Sequence, residues 1–303
     1  MTMTSSGRLK AAIKNGDFIV TAEITPKLTA SADEILQQAL PLKDKVVAVN
    51  VTDGAGARVT MSSLAASAIL SRNGIEPILQ MTCRDRNRIA ISADLIGAAA
   101  LGIENVLVLT GDKPGAGDEP NAKGVFDFDA MEIMQLARQM SEDGTIGSGR
   151  ELLQRPAFLV GGVDAPFDPP AGWRPDKLAA RAEAGMKFIQ TQFCYEPEVT
   201  ARYLQRLAEH GGLDNVALII GVGPIASLRS AKWMNENLYG VSIPDSVIQR
   251  LQDADDEAAE GHQICVELIQ QYQKMPGVAG VHIMAPAQKA QRIADVVDAV
   301  FAA

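Results

Sequence analysis

Short β-branched runs alternate with longer helical patterns eight times along the 303 residues, which predicts an α/β fold, a single-domain (β/α)8 TIM barrel. Two further observations support it. The length is what eight strand–helix units need, about 250 residues plus insertions. No GxGxxG follows the first run, where ITPKLTAS stands instead, and this argues against a doubly wound open sheet.

The first strand is FIVTAEI, 18–24, and Ser31 begins the next helix as its N-cap, with Glu34 three residues on as in a capping box. VVAVNVT, 46–52, precedes a helix over 60–72. EPILQMT, 76–82, precedes one over 86–100. NVLVLTG, 105–111, leads to a helix near 128–141, and AFLVGGV, 157–163, to one over 175–184. KFIQTQF, 187–193, is followed by helix 197–209, and NVALIIGV, 215–222, by helix 225–237. A helical insertion over about 244–273, in two stretches (244–253 and 256–273), comes before the eighth strand, VAGVHIM, 278–284; helix 287–301 closes the chain. No linker rich in Pro, Gly or Ser divides it, so 1–303 reads as one domain. GTIGSGRE, 144–151, is expected on the face away from the site. The acidic segment 252–260 is expected to be a solvated helix start.

Apolar residues make up 47% of the chain and charged residues 21%, enough for a substantial core and unlike a disordered chain. The net charge of −9 argues against a general binder of nucleic acid or of anionic membrane. No apolar run is long enough to span a bilayer, and the N-terminal stretch has no apolar h-region of a secretory signal. Cys83, Cys194 and Cys265 are scattered and odd in number, which fits a reducing cytoplasm and supports neither a disulfide framework nor a cysteine zinc site. His210, His262 and His282 lack HExxH spacing, so no metal is expected. An exposed helix face could support a homo-oligomer.

In a TIM barrel the active site lies at the C-terminal ends of the strands. Glu23 stands there between Ala22 and Ile24, where a carboxylate is costly unless paired or functional. It is either a proton donor in a dry site or one half of a salt bridge across the barrel. Asp112, after Gly111, either accepts hydrogen bonds from a planar ligand or caps a turn. Gln192 either reads a heterocycle's amide edge or ties a neighbouring strand. Thr52 closes its strand, and Gly54 and Gly56 relieve the loop after it. Arg84, Arg86 and Arg88 could receive phosphates or a glutamate tail, or form a solvated helix start. Cys83 reads as a core thiol, His282 as a packed barrel residue, and Trp173 and Trp233 as structural. Gly221 and Gly223 lie where barrel phosphate sites often form, on a weak GVG signal.

AEITP (22–26), VTDGAG (51–56), MTCRDRN (81–87), LGIENVLVLTGD (101–112), IQTQFCY (189–195) and GVHIMAP (280–286) occur together in one order and spacing. With these motifs the chain, from about residue 8 onward, resembles the catalytic barrel of methylenetetrahydrofolate reductase, in particular its short bacterial type. The resemblance implies reduction of 5,10-methylenetetrahydrofolate to 5-methyltetrahydrofolate by NADH or NADPH through a bound flavin, FAD in most members. It implies Glu23 as the general acid that protonates N10, and Asp112 as a second catalytic residue that contacts pterin near the flavin. It implies Gln192, Asp112 and Leu228 at the substrate. It implies Thr52, Gln80, Thr82, Thr110, Gly111, Asp112, Phe126 and Arg181 at the cofactor.

The chain departs from the family pattern at several places. Gln80 stands for a His, Thr110 for an Arg and Phe126 for a Tyr. Val163 and Phe167 replace a Tyr and a His that contact the flavin nucleotide, Arg174 replaces an Asp, and Leu228 replaces a Phe that stacks on substrate. Positions that bear the chemistry are kept while much of the flavin-holding set is altered. FAD, FMN and flavin-free direct hydride transfer from NADH are therefore alternatives, as is a folate-binding subunit that takes electrons through a partner. The expected partner is a small-molecule folate. Because no regulatory domain follows residue 303, S-adenosylmethionine feedback as in longer members is not expected.

Overall fold

In the computed structural model, which describes residues 7–211, 213 and 215–301, eight parallel strands pair in sequence order and the eighth closes on the first. They are β1 (Ile19–Ile24), β2 (Ala48–Val51), β3 (Pro77–Thr82), β4 (Asn105–Leu109), β5 (Leu159–Asp164), β6 (Phe188–Phe193), β7 (Ala217–Val222) and β8 (Gly280–Ile283). The helices are α1 (Arg8–Asn15), α2 (Ala32–Ala39), α3 (Ser63–Arg72), α4 (Arg88–Ala100), α5 (Ala130–Glu142), α6 (Asp176–Glu183), α7 (Pro197–His210), α8 (Leu228–Asn237), α9 (Asp245–Asp253), α10 (Glu257–Tyr272) and α11 (Gln291–Phe301). The strands are buried almost throughout because helices cover one face and the barrel interior the other. Among the described residues no helix is long and apolar enough to cross a membrane.

Several helices start two or three residues later than the sequence pattern suggests. The reason is capping: the residue before the helix keeps a non-helical backbone while its side chain accepts a hydrogen bond from the first turn. Ser62 receives Ala65 N, Asn87 receives Ile89 N and Ala90 N, and Asp129 forms a reciprocal capping box with Glu132. Ser31 caps α2 by accepting from Glu34 N, as expected. β4 stops at Leu109, two residues short of the expected end, and Gly111 beyond it is left-handed at φ 87°.

One helix was not legible. α1 is only eight residues long and has no side-chain cap, yet it closes the N-terminal end of the barrel. Leu9 and Ala12 pack on Ile19, Ala48, Ile78, Leu107, Leu159, Phe188 and Ile219, the apolar floor of the interior. The buried Glu76 carboxylate accepts from Arg8 N at 2.7 Å and Leu9 N at 3.0 Å, satisfying donors that a helix start leaves free. Gly161 makes room for the Phe188 ring, since a Cβ there would stand 2.2 Å from it.

The insertion before β8 is α9 and α10. Asp256 caps α10 by accepting from Ala258 N and Ala259 N, so the acidic segment is a helix start as expected. Residues 144–151 connect α5 to β5, on the face opposite the strands' C-terminal ends, and Thr145 bridges to Glu151.

Candidate functional site

Alternate residues of a strand face the same side, so each strand feeds the interior in steps of two. Above the apolar floor lies a polar layer made by Thr21, Asn50, Gln190 and His282, hydrogen-bonded to one another. One step higher, Glu23, Gln80 and Gln192 open onto a cavity of about 850 Å³ at the C-terminal mouth. Side chains of β1, β2, β3, β4, β5, β6 and β8 line it, together with the loop after β5, α6, Tyr203 of α7 and Tyr239.

Glu23 is paired across the barrel but not neutralised. Gln80 Nε2 donates to Glu23 Oε2 at 3.0 Å, and His282 Nε2 lies 3.8 Å from the same oxygen. The side chain stays 24% exposed toward the cavity. Gln192 receives Phe193 N on Oε1 and donates weakly to the Tyr239 carbonyl at 3.3 Å. Arg181 donates to the Val163 carbonyl at 3.0 Å and faces the cavity beside Arg174 and Lys177.

The other implied positions lie around the rim. Thr82 donates its backbone and hydroxyl hydrogens to Asp53, both at 2.9 Å. Thr52 is buried, and its hydroxyl has no hydrogen-bond partner among the described residues. Gly111 packs on Thr82, where a Cβ would come within 2.9 Å of the threonine Cβ, and Thr110 is exposed. Asp112 is exposed and accepts from Gly56 N at 2.9 Å, tying the loop after β4 to the loop after β2. Phe126, at φ 44°, is held by the Cys83 carbonyl and is half-exposed. The structure does not bring these six onto the cavity wall with Glu23. Leu228 starts α8, where its N–H donates to Glu257, and borders a separate shallow groove with Lys232 and Trp233.

The arginines of the run 83–87 and Arg88 are committed to carboxylates. Arg86 pairs with Asp53 through two hydrogen bonds, 2.7 and 3.1 Å, and with Asp94 at 2.8 Å. Arg84 binds Asp85, and Arg88 binds Asp127 while lying 4.8 Å over the Phe128 ring. The cations that face the cavity are instead Arg174, Lys177 and Arg181. Burial alone would push the Asp53 carboxyl up, but Arg86 and the Thr82 donors hold it below its usual range.

Sequence reading missed three residues here. Asp164 ends β5 and accepts a short hydrogen bond from Tyr203; burial pushes this carboxyl up despite that bond, the Ala165 N–H and Arg181. Trp173, read as structural, lines the cavity in an aromatic cluster with Tyr203 and Phe167, centroids 5.4 to 5.7 Å apart. The expected end of that strand, Val163, is one residue short of Asp164, the only signal that could have found the pair.

A family profile described as "Methylenetetrahydrofolate reductase" matches residues 8–300. The chain belongs to that family. It is 30% identical to Methylenetetrahydrofolate reductase 2 of Schizosaccharomyces pombe over 81% of this chain and 39% of that protein. It is 27% identical to a probable methylenetetrahydrofolate reductase (NADPH) of Caenorhabditis elegans, covering 70% and 30%. A third relative, 5,10-methylenetetrahydrofolate reductase of Salmonella typhimurium, is 23% identical over 80% of this chain and 76% of its own length. The chain thus spans less than half the length of the first two family relatives. Among solved structures, a Clostridium thermocellum protein that binds two copies of 5-methyl-5,6,7,8-tetrahydrofolic acid superposes with TM-score 0.62 at 16% identity, covering 95% of this chain and 96% of that one. The tryptophan synthase of Mycobacterium tuberculosis reaches 0.52 at 12% identity, covering 98% and 96%. Both likenesses show the barrel.

Proposed function

We propose that this family member reduces 5,10-methylenetetrahydrofolate to 5-methyltetrahydrofolate with NADH or NADPH, and that Glu23 is the general acid. The observation that carries this reading is Glu23 itself: a carboxylate at the mouth of the barrel, open to a cavity large enough for a pterin and its side chain, with the Gln80 amide and the His282 ring, and no arginine or lysine, beside it. Family membership and the folate ligand of the Clostridium thermocellum protein support the substrate class.

The protonated Glu23 donates its proton to N10 of the substrate. The bond from N10 to the methylene carbon then breaks, its electron pair goes to N10, and the N5 lone pair forms an iminium with that carbon. Hydride delivered to the carbon yields the N5-methyl product, and the nicotinamide leaves oxidised. Gln192 is suited to hold the amide edge of the pterin, while Arg174, Lys177 and Arg181 would receive the glutamate tail or a phosphate. General acid catalysis of this kind contributes about 10²- to 10⁴-fold.

The family implies a flavin. The donor set fits one: the lining includes the amides of Gln80 and Gln192 and two cations, Lys177 and Arg181, one helical turn apart on α6. Gln80 and Arg181 would hold it, and when bound it supplies the hydride to the methylene carbon and is recharged by NAD(P)H. Direct hydride transfer from NADH is the second reading. It is favoured by one observation: of the cofactor positions the resemblance implies, Gln80 and Arg181 line the cavity, while Asp112 is spent on Gly56 N. Asp112 remains our candidate for a pterin contact if that loop opens.

The test is anaerobic turnover of 5,10-methylenetetrahydrofolate by the purified protein with NADH or NADPH, preceded by its visible spectrum. Formation of 5-methyltetrahydrofolate is the expected result. A yellow protein that bleaches with the nicotinamide supports the flavin route, and a colourless one that turns over supports direct transfer. No product with either nicotinamide overturns the reading and favours a folate-binding subunit that needs a partner for electrons.

A further inference from the structure

The geometry points to His282 as the positioning residue of Glu23, a neutral imidazole that fixes which carboxyl oxygen carries the proton. The inference rests on the reading of Glu23 as the acid. It follows from counting hydrogens in the polar layer. Asn50 Nδ2 donates to Gln190 Oε1 at 2.6 Å, and Gln190 Nε2 is the amide end that faces Thr21 Oγ1 and His282 Nδ1, the latter at 3.4 Å. Its two hydrogens go to the Asn50 carbonyl oxygen at 3.1 Å and to Thr21 Oγ1 at 3.0 Å. Having accepted from Gln190, the Thr21 hydroxyl spends its own proton on His282 Nδ1 at 2.9 Å. Nδ1 is therefore an acceptor, and the neutral ring keeps its proton on Nε2.

That Nε2 edge lies 3.8 Å from Glu23 Oε2, beyond hydrogen-bond reach in the free protein, and Gln80 donates to the same oxygen. One donor and the imidazole edge thus lie on the same oxygen. Among the described residues Oε1 has no hydrogen-bond partner, so the neutral acid carries its proton on Oε1. When the acid acts, the Oε1–H bond breaks, its electron pair stays on Oε1, and the proton passes to N10. The other charged groups that face the cavity are Asp164, Arg174, Asp176, Lys177 and Arg181, with the phenols of Tyr203 and Tyr239. Among the described residues none of them hydrogen-bonds or ion-pairs with Glu23 or His282. The strand neighbours Asn50, Gln80 and Gln190 are uncharged, so His282 is the titratable group paired with the acid.

The chain has three histidines, so the ring tautomer of His282 can be read in the intact protein by long-range ¹H–¹⁵N correlation, with His282→Asn to assign it. The expected result is a pyridine-type Nδ1 and a pyrrole-type Nε2. A pyrrole-type Nδ1, or a doubly protonated ring at neutral pH, overturns the inference whether or not the enzyme turns over. The second measurement is the pH–rate profile of folate reduction. His282→Asn keeps a partner for Thr21 but removes the ring nitrogen beside Glu23. It is expected to slow reduction about tenfold, part of what a general acid supplies, and to move the alkaline limb to higher pH. His282→Gln, whose amide reaches where Nε2 stood, is expected to restore both. A loss equal at every pH, or no rescue by Gln, means a structural role only and overturns the inference. If wild type makes no product while the tautomer is as expected, the functional reading fails and the proton placement does not.

Discussion

Gln80 Nε2 and Glu23 Oε2 are 3.0 Å apart across the barrel mouth, so the one carboxylate that ends β1 is held by a neutral amide and not by a cation. An arginine in that place would keep Glu23 ionised and useless as an acid. An amide orients it without committing its charge. Replacing Gln80 with Leu is therefore expected to lower kcat for folate reduction about tenfold with a smaller change in KM, a share of the acid's contribution. Steady-state kinetics on a variant whose circular dichroism matches wild type check this. An unchanged kcat would separate Gln80 from the chemistry.

The Asp53–Arg86 pair holds the loop after β2 to the end of β3. Asp53→Ala leaves Arg86 with Asp94 alone and Thr82 without its acceptor; breaking one side of a buried pair costs roughly 3–5 kcal/mol, and the remaining Asp94 partner places this change at the lower end. A denaturant midpoint shift of that size is expected. Because the Asp53 carboxyl sits below its ordinary 3.8 in the fold, its contribution is present above that pH and lost as pH falls below it. Wild type and variant should therefore converge in stability under acid.

Asp164 behaves in the opposite sense. Burial raises its carboxyl above the ordinary value, so the folded state binds a proton more readily than the unfolded one. Stability from this group is full below pH 3.8 and is lost as pH rises through the folded value. Tyr203→Phe removes the hydrogen bond that offsets the burial and leaves the ring in its aromatic cluster. A cost of about 1–3 kcal/mol is expected at pH 7, shrinking toward pH 4. Chemical denaturation at the two pH values reads it, and a deficit that grows in acid would contradict the assignment.

The three thiols should be inert in the folded protein. Cys83 and Cys194 are buried and pushed up to about 11, and Cys265, wholly buried, is pushed higher still. Iodoacetamide at pH 7.5 is expected to modify none within an hour in buffer and all three in guanidinium, as counted by intact mass. Rapid labelling of Cys83 in the native state would reopen it as a nucleophile.

Much of the fold was legible because the strand–helix alternation is a local pattern that repeats. The site was legible to the extent that it depends on one rule, that strand ends face the active mouth. That rule pointed to Glu23 and Gln192, which line the cavity; the resemblance added Gln80. It could not find α1, whose role depends on Glu76 more than sixty residues away. Nor could it find the role of His282, whose partner Thr21 is 261 residues distant and meets it only when β8 closes on β1. Arg84, Arg86 and Arg88 read as an anion site or a solvated helix start because charge stands out in sequence, whereas pairing of Arg86 and Arg88 with Asp53, Asp94 and Asp127 is visible only in three dimensions.

The measurement that bears most directly on this account is product formation by Glu23→Gln, a change of one atom that keeps size and hydrogen bonding but removes the acidic proton. With saturating 5,10-methylenetetrahydrofolate and NADH or NADPH, wild type is expected to accumulate 5-methyltetrahydrofolate, and the variant to do so at least ~10²-fold more slowly while still binding folate. A variant that makes the product at the wild-type rate would show that the proton comes from elsewhere.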